Sequence, residues 1–524
     1  MDRFDAVVIG AGPNGLVAGT LLADAGWDVV VVEAAETAGG AVRTDDVTAP
    51  GFHHDLYSAF YPLAVSAAAP LTGLHLEQHG LDWCHAPAVV AHPRRDGPAA
   101  VLSRDFDRTL ASLAASSSGD VYGWEALIDA WRRIAPVFLP FAMATRPSLA
   151  SIGALLRRTR PRTVADDARF ILLSAQRMAR EAGCNAAGQL LLGGNALHGD
   201  ALLEAPGSGI LGLLLCGLGH DVGFPVPRGG AGQLTAALAA RLRAAGGVLW
   251  CGAPVERILV KDRSVHGVRL ADGRSVQVRR GIVAAIAAPA LDLLVEGWRS
   301  DRDARQYEPG LGTVKVDWAL DSPVPWADPD VGGAGTVHVA PSLDELSVQA
   351  HQLARDVLPG RPFIVFGQMT TADPSRSPAG TECAWGYTHV PFHLRQDEDD
   401  VVSGRYDGDD LVRLTDRIEA RIEEVAPGFR SRIIATHVAG PHEMARANAS
   451  LMFGDISAGT VQLHQQGPFR PPGSLGRPRT RIAHLYLGSA SVHPGGGVHG
   501  APGARAARAL LRSQRNFCYG ATRR

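Results

Sequence analysis

The 524-residue chain carries 51 Lys+Arg against 53 Asp+Glu, a formal net charge of −2, with 46% hydrophobic and 20% charged residues. That is the composition of a globular protein long enough for more than one core, and it offers no basic field for nucleic acid. The six cysteines, Cys84, Cys184, Cys216, Cys251, Cys383 and Cys518, never form a CxxC pair, which excludes a dithiol redox motif and the usual zinc spacing. No metal is expected, and the scattered cysteines point to a reducing, cytoplasmic setting. Eighteen apolar residues never run together, so no transmembrane helix is expected.

In chain order, the first apolar run is Ala6 to Ile9. It is too short for a signal-peptide core and reads as a buried parallel strand. The stretch "GAGPNG" follows, with Gly10, Gly12 and Gly15 spaced G-x-G-x-x-G. From about Asn14, Leu16, Val17, Leu21 and Leu22 recur at helical spacing, and Gly26 marks a stop. Asp28 to Glu33, "DVVVVE", is the next strand. Strand, glycine turn, helix, strand is the context that a dinucleotide fingerprint requires. Gly10 serves the tight turn, Gly12 the approach of a pyrophosphate, and Gly15 the close packing of helix on strand. The helix N-terminus, with Pro13 and Asn14 in its first turn, offers free N–H groups and a positive dipole end. Glu33 can accept both hydroxyl protons of a ribose and would repel a 2′-phosphate, which favours FAD or NAD over NADP.

"AAETAGGAVRT", from Ala34 to Thr44, adds a second glycine pair, Gly39-Gly40, followed by Ala41 and Arg43. An NAD domain does not need this pair. "GFHHDLYSAFYPLA" then brings His53 and His54, which could reach a substrate. Arg146 to Arg162 mixes apolar residues with a basic cluster and is a candidate membrane-surface contact. Ser208 to Gly223 is apolar but broken by Gly212, Gly217 and Gly219, so it reads as core or as the wall of a hydrophobic tunnel. Leu234, Leu238 and Leu242 mark a helix that ends at Gly246-Gly247. Strands are expected at Val255–Val260, Val265–Leu270 and Val276–Val278, with "ADG" as a hairpin turn, and again over Gly281 to Leu291. Gly312 to Leu320 and Phe363 to Met369 suit further strands. Near the C-terminus, Leu485–Leu487 is a short strand. A glycine-dense loop follows it and leads into a helix bearing Ala506, Ala507, Leu510 and Leu511. Such glycine density is entropically expensive, so a close backbone approach to a flat ring explains it best.

"GAGPNGL", "VVEAAETAGGAVRT", the central "FPVPRGGAGQLTAALAARLRAAGGVLWCGAPVERILV" and "LYLGSASVHPGGGVHGAPG" together resemble the phytoene-desaturase-like flavoprotein family. The similarity is to the branch with desaturase-type carotenoid ketolases and pyridine nucleotide-disulfide oxidoreductase domain 2 proteins. The resemblance implies one noncovalent FAD. Gly10, Gly12, Gly15 and Glu33, with the adjoining Pro13, Asn14 and Ala34, would hold its ADP half. Gly40, Ala41 and Arg43 would line the pyrophosphate and flavin. Gly488, Ser489 and the Gly497–Val498 turn would meet the ribityl chain and ring, and the Val255 backbone would pair with adenine. The family's Gly-Ala-Gly-Thr-His-Pro-Gly is replaced here by Gly488-Ser489-Ala490-Ser491-Val492-His493-Pro494-Gly495, with an alanine for a glycine and one residue more before the histidine.

The implied fold is α/β: a Rossmann-type, glutathione-reductase-like FAD domain (1–70, 222–300 and 475–524) with a discontinuous mixed α+β substrate domain (71–221 and 301–474). The implied function is an FAD-dependent oxidoreductase that takes a hydride from a hydrophobic, isoprenoid-like substrate; reoxidation needs oxygen, a quinone or another acceptor, and the sequence names none. Two rivals stand beside it: an amine-oxidase-like flavoenzyme on a smaller polar substrate, and a non-enzymatic carrier of prenylated partners. His53, His54, His493 and His499 are the tempting acids and bases, but none is assigned a catalytic role.

Overall fold

The structure, a computed structural model, describes residues 2–143 and 161–521. Two seven-stranded sheets organise it. In the first, the strand order is Val255–Lys261, Ser264–Leu270, Ser275–Ala284, Asp2–Ile9, Val29–Val32 and Val248–Trp250, and Leu485–Leu487 also pairs with Ser275–Ala284. The Val29–Val32 strand is buried along its length, as a four-valine run between parallel neighbours must be. Val248–Trp250, which follows the helix Ala231–Ala244, lengthens this sheet at an edge where no strand was expected.

The segment from Ser275 departs from expectation twice. It is a single strand to Ala284, parallel to Asp2–Ile9, with a register shift between Phe4 and Ala6. It does not run on to Leu291: Ala288–Leu294 is a helix, with Pro289 in its first turn, where the missing N–H costs nothing. The far half of this strand pairs Ile282 with Leu485 and Ala284 with Leu487, so the tail of the chain is built into the N-terminal sheet.

The second sheet runs Ile433–Ala439, Gly312–Leu320, Glu382–Val390, Ile364–Gln368, Ala334–Val339, Ala88–His92 and Ala100–Leu102. Its central strands are buried on both faces. Register places Lys315, Tyr387, Val365 and His338 side by side in one row across four strands, and hence on one face. Over the sheet lie helices Ser118–Met143, Ala186–Ala196 and Ser208–Asp221. The last is apolar all round because it has two apolar faces to satisfy. Ile210, Leu211, Leu214 and Leu215 line a cavity, while Leu213 and Cys216 are core. Gly217 sits against Trp131, where a Cβ would fall 2.3 Å from the indole. Among the described residues, no helix is long and apolar enough to cross a membrane. The basic segment Arg146 to Arg162 lies almost wholly outside them.

Candidate active site

One cavity of about 1120 Å³ extends from the N-terminal glycine turn, past the C-terminal loop, to the face of the second sheet. Single small-molecule sites run to roughly 300–1,000 Å³, so this one has room for a dinucleotide and a substrate together. Gly10, Gly12, Pro13, Asn14, Glu33, Ala34, Gly40, Ala41, Arg43, Val255, Ser489, Gly497 and Val498 all line it. Gly15 and Gly488 lie behind the wall. A Cβ on Gly15 would be 1.9 Å from the Gly10 carbonyl oxygen, and one on Gly488 would be 2.8 Å from Val283 Cγ1. Both glycines let helices close down on the strands.

The helix Pro13–Asp24 starts at the cavity with proline in its first turn and no acidic residue there to neutralise its positive end. Glu33 braces the turn: Oε2 accepts from the Ala11 N–H at 2.7 Å and Oε1 from the Ala35 N–H at 3.0 Å. At the other side, His499 is a brace too. Its Nδ1 accepts from the Ala501 N–H at 3.1 Å and its Nε2 lies 3.2 Å from the Gly496 carbonyl. Burial pushes its imidazole down to about 4, so it is neutral. His53 pairs with Asp46 at 2.6 Å in an exposed turn. His54 is fully buried, 2.7 Å from Thr48 Oγ1 and 3.4 Å from Asp317. Neither of these two histidines lines the cavity.

The sheet floor supplies groups that the motifs did not announce. Lys315 lines the cavity, is 3% exposed and is paired with Asp317. Burial alone would raise the Asp317 carboxyl, but Lys315, His437 and His54 outweigh it and hold it well below the usual carboxylate range. Trp385 and Tyr387 stack, with 6.0 Å between centroids and 14° between planes. The Lys315–Asp317 pair leaves a signal in the sequence: in "GTVKVDWAL" two charges sit two residues apart in a strand that is buried at every position. The opposite wall is apolar, built by Phe138 and Leu139 together with Ile210, Leu211, Leu214 and Leu215.

The cavity also gathers buried polar atoms without a protein partner: Asn14 Oδ1 at the dinucleotide end, and Asn195 Oδ1, Thr313 Oγ1 and Thr336 Oγ1 at the other. Each costs about 1–3 kcal/mol if nothing meets it. A bare glycine turn, an uncompensated helix N-terminus, a carboxylate able to accept from ribose hydroxyls and an orphaned amide oxygen that a cofactor hydroxyl can meet fit FAD.

Comparison with known proteins agrees. The profile of the family described as "Flavin containing amine oxidoreductase" matches residues 14–348, more than half of the chain. Pyridine nucleotide-disulfide oxidoreductase domain-containing protein 2 of Rattus norvegicus is 26% identical, over 98% of this chain and 94% of its own. A neurosporene-forming phytoene desaturase of Cereibacter sphaeroides is 24% identical, over 97% and 95%. A solved structure of putrescine oxidase bound to putrescine superposes with a TM-score of 0.60 at 16% identity, over 98% and 99%, a likeness of fold. The resemblance read from the motifs is borne out, and the non-enzymatic carrier reading falls. The chain belongs to the flavin containing amine oxidoreductase family and is an FAD-dependent oxidoreductase.

Proposed function

We propose that this enzyme dehydrogenates a long, apolar, isoprenoid-type substrate. The observation that carries the reading is the apolar wall of Leu211, Leu214, Leu215 and Phe138, which lines the same cavity as the glycine turn. A chamber of this kind takes its affinity from buried area, about 25 cal/mol per Å² of apolar surface, and an extended hydrocarbon offers the most. The phytoene desaturase relative supports the same class.

The first sheet with its helices is assigned to an FAD domain of 1–70, 222–300 and 475–524, and the second sheet to a substrate domain of 71–221 and 301–474. Gly10, Gly12, Pro13 and Asn14 would cradle the pyrophosphate, Glu33 and Ala34 the ribose, and Val255 the adenine. Gly40, Ala41 and Arg43 would follow the dinucleotide toward the ring, and Ser489, Gly497 and Val498 would border the ribityl chain and flavin. Bound FAD supplies a hydride acceptor. The residues themselves orient the substrate C–H bond and keep water out of the chamber. Glu33→Ala leaves the Ala11 and Ala35 N–H groups without their acceptor, a loss of about 1–3 kcal/mol each. FAD retained after gel filtration should fall at least tenfold.

Anaerobic bleaching of the flavin across a panel of polyenes, alcohols and amines tests the reading. Polyenes should bleach it; bleaching by amines alone would establish the amine-oxidase alternative instead. Leu214→Trp should stop long polyenes while leaving FAD content unchanged. We infer that oxygen or a quinone reoxidises the flavin, and the rate with each after bleaching decides between them. Exposed Phe141, Leu172 and Leu463 lie around the chamber helices, and we infer that this side meets a membrane surface from which an apolar substrate is drawn. Co-sedimentation with anionic vesicles, reduced by Phe141→Glu, is the expected result.

A further inference from the structure

Three buried imidazoles form a continuous chain at the chamber wall. His198, two residues beyond the helix Ala186–Ala196, lines the cavity. Its Nε2 lies 2.7 Å from His338 Nε2, and His338 Nδ1 lies 2.8 Å from His92 Nε2. The rings are nearly perpendicular at each step, 74° and 78°. His338 and His92 come from the strands Ala334–Val339 and Ala88–His92 and are fully buried. Gly194 closes over them, where a Cβ would fall 2.3 Å from His92 Cε1.

We propose that His198 is the catalytic residue that takes the proton released when the substrate is oxidised, and that His338 and His92 are positioning residues that share the resulting charge. This rests on the dehydrogenation reading. Forming a C=C bond sends a hydride, with its electron pair, from one carbon to the bound FAD. A proton must leave the neighbouring carbon for a base. Three other groups that line the cavity are engaged elsewhere: Glu33 braces the dinucleotide turn, Lys315 pairs with Asp317, and His499 is held in its own loop.

The titratable groups facing the chain are its own members and His389, whose ring also abuts the Gly312 carbonyl at 3.4 Å. Burial, with the neighbouring imidazoles, pushes His198 down to about 4, His92 to about 3, and His338 well below its ordinary value. All three are therefore neutral near pH 7, and each contact pairs one N–H with one lone pair. A neutral chain can be polarised in either sense. With His198 carrying its proton on Nε2, Nδ1 is the basic atom. Protonation there turns the His198–His338 contact into a charge-assisted hydrogen bond, stronger in a dry site than in water.

The experiment measures anaerobic flavin bleaching by phytoene, a simple primary amine and a simple alcohol, using the FAD-loaded enzyme. With whichever compound bleaches the wild type, His198→Gln should slow bleaching by about 10²-fold or more at unchanged FAD content, the scale of a lost general base. His338→Phe should slow it, and His338→Gln, which keeps a hydrogen-bond acceptor, should restore most of the rate. An unchanged rate in His198→Gln overturns the proposal, as does a loss confined to His493→Gln. If only the amine bleaches the flavin, the isoprenoid reading fails while the same variants still judge His198. A second arm needs no substrate. Histidine ring ¹⁵N spectra should show three neutral imidazoles at pH 6 that are lost or shifted together in His338→Phe. An imidazolium at any of the three positions overturns the proposal.

Discussion

Gly503→Ala is expected to strip the enzyme of FAD, although Gly503 does not line the cavity. A Cβ there would lie 1.8 Å from the carbonyl oxygen of Asn14 and 2.6 Å from its carbonyl carbon. Both are backbone atoms of the first turn of the helix Pro13–Asp24, whose own Gly15 packs so close to Gly10 that a Cβ there would fall 1.9 Å from the Gly10 carbonyl oxygen. Strand turn, N-terminal helix and C-terminal helix are thus stacked backbone on backbone, with no side chain to yield. Overpacking of this kind costs about 1–3 kcal/mol and more where the backbone must move. Here the movement displaces the turn that faces the dinucleotide. The measurement is FAD per chain after gel filtration, with thermal unfolding alongside. Gly26→Ala is the control. Gly26 has φ +78° but open space around it, so it bears only the cost of the left-handed conformation, about 1 kcal/mol, and should keep its FAD.

Lys315→Met is expected to destabilise the folded enzyme by about 3–5 kcal/mol at pH 7.5, because it leaves the buried Asp317 carboxylate without its cation. The effect has a defined pH dependence. In the wild type the Asp317 carboxyl is held low, so its contribution is present above the unfolded carboxylate pKa of about 3.9 and is lost only as pH falls below that toward the folded value. In the variant, burial wins and the carboxyl rises. The penalty is then largest at neutral pH and shrinks as acid neutralises Asp317. Denaturant titrations at pH 7.5 and pH 4.5 should show the difference narrowing; an equal loss at both would contradict it. Adding Asp317→Asn to Lys315→Met should recover much of the stability, since the unpaired charge is then gone.

The dinucleotide end was legible because its chemistry is local. Gly10, Gly12, Gly15 and Glu33 lie within one strand–helix–strand unit, and spacing alone states what each position must allow. The tail was legible for the same reason: Leu485–Leu487 is short, but the glycine loop and alanine-faced helix after it admit few other readings. Of the chamber, the apolar wall left a signal in Ser208 to Gly223, but the sheet side was not legible, because its residues meet only through long-range pairing. His198 and His338 are 140 positions apart, and His338 and His92 are 246 apart. No window contains two of them. Lys315 and Asp317 did leave a trace, as charges alternating inside an apolar strand, which makes sense only if they satisfy each other. The strand expected over Gly281 to Leu291 failed on one residue: Pro289 suits the first turn of a helix and cannot donate within a sheet. His53 and His54 looked poised for chemistry because they follow the second glycine pair. One braces an exposed turn and the other sits behind the cavity wall, against Asp317.

The most direct test of the central claim, that both chain ends close around one FAD whose ring faces an apolar chamber, is the flavin electron density in crystals of the purified yellow protein. A single FAD per chain is expected, with its adenosine ribose at Glu33 and its ring near Arg43 and the Gly497–Val498 turn, in contact with the chamber lined by Leu211 and Leu214. An FAD bound elsewhere, or one whose ring is sealed off from that chamber, would contradict it.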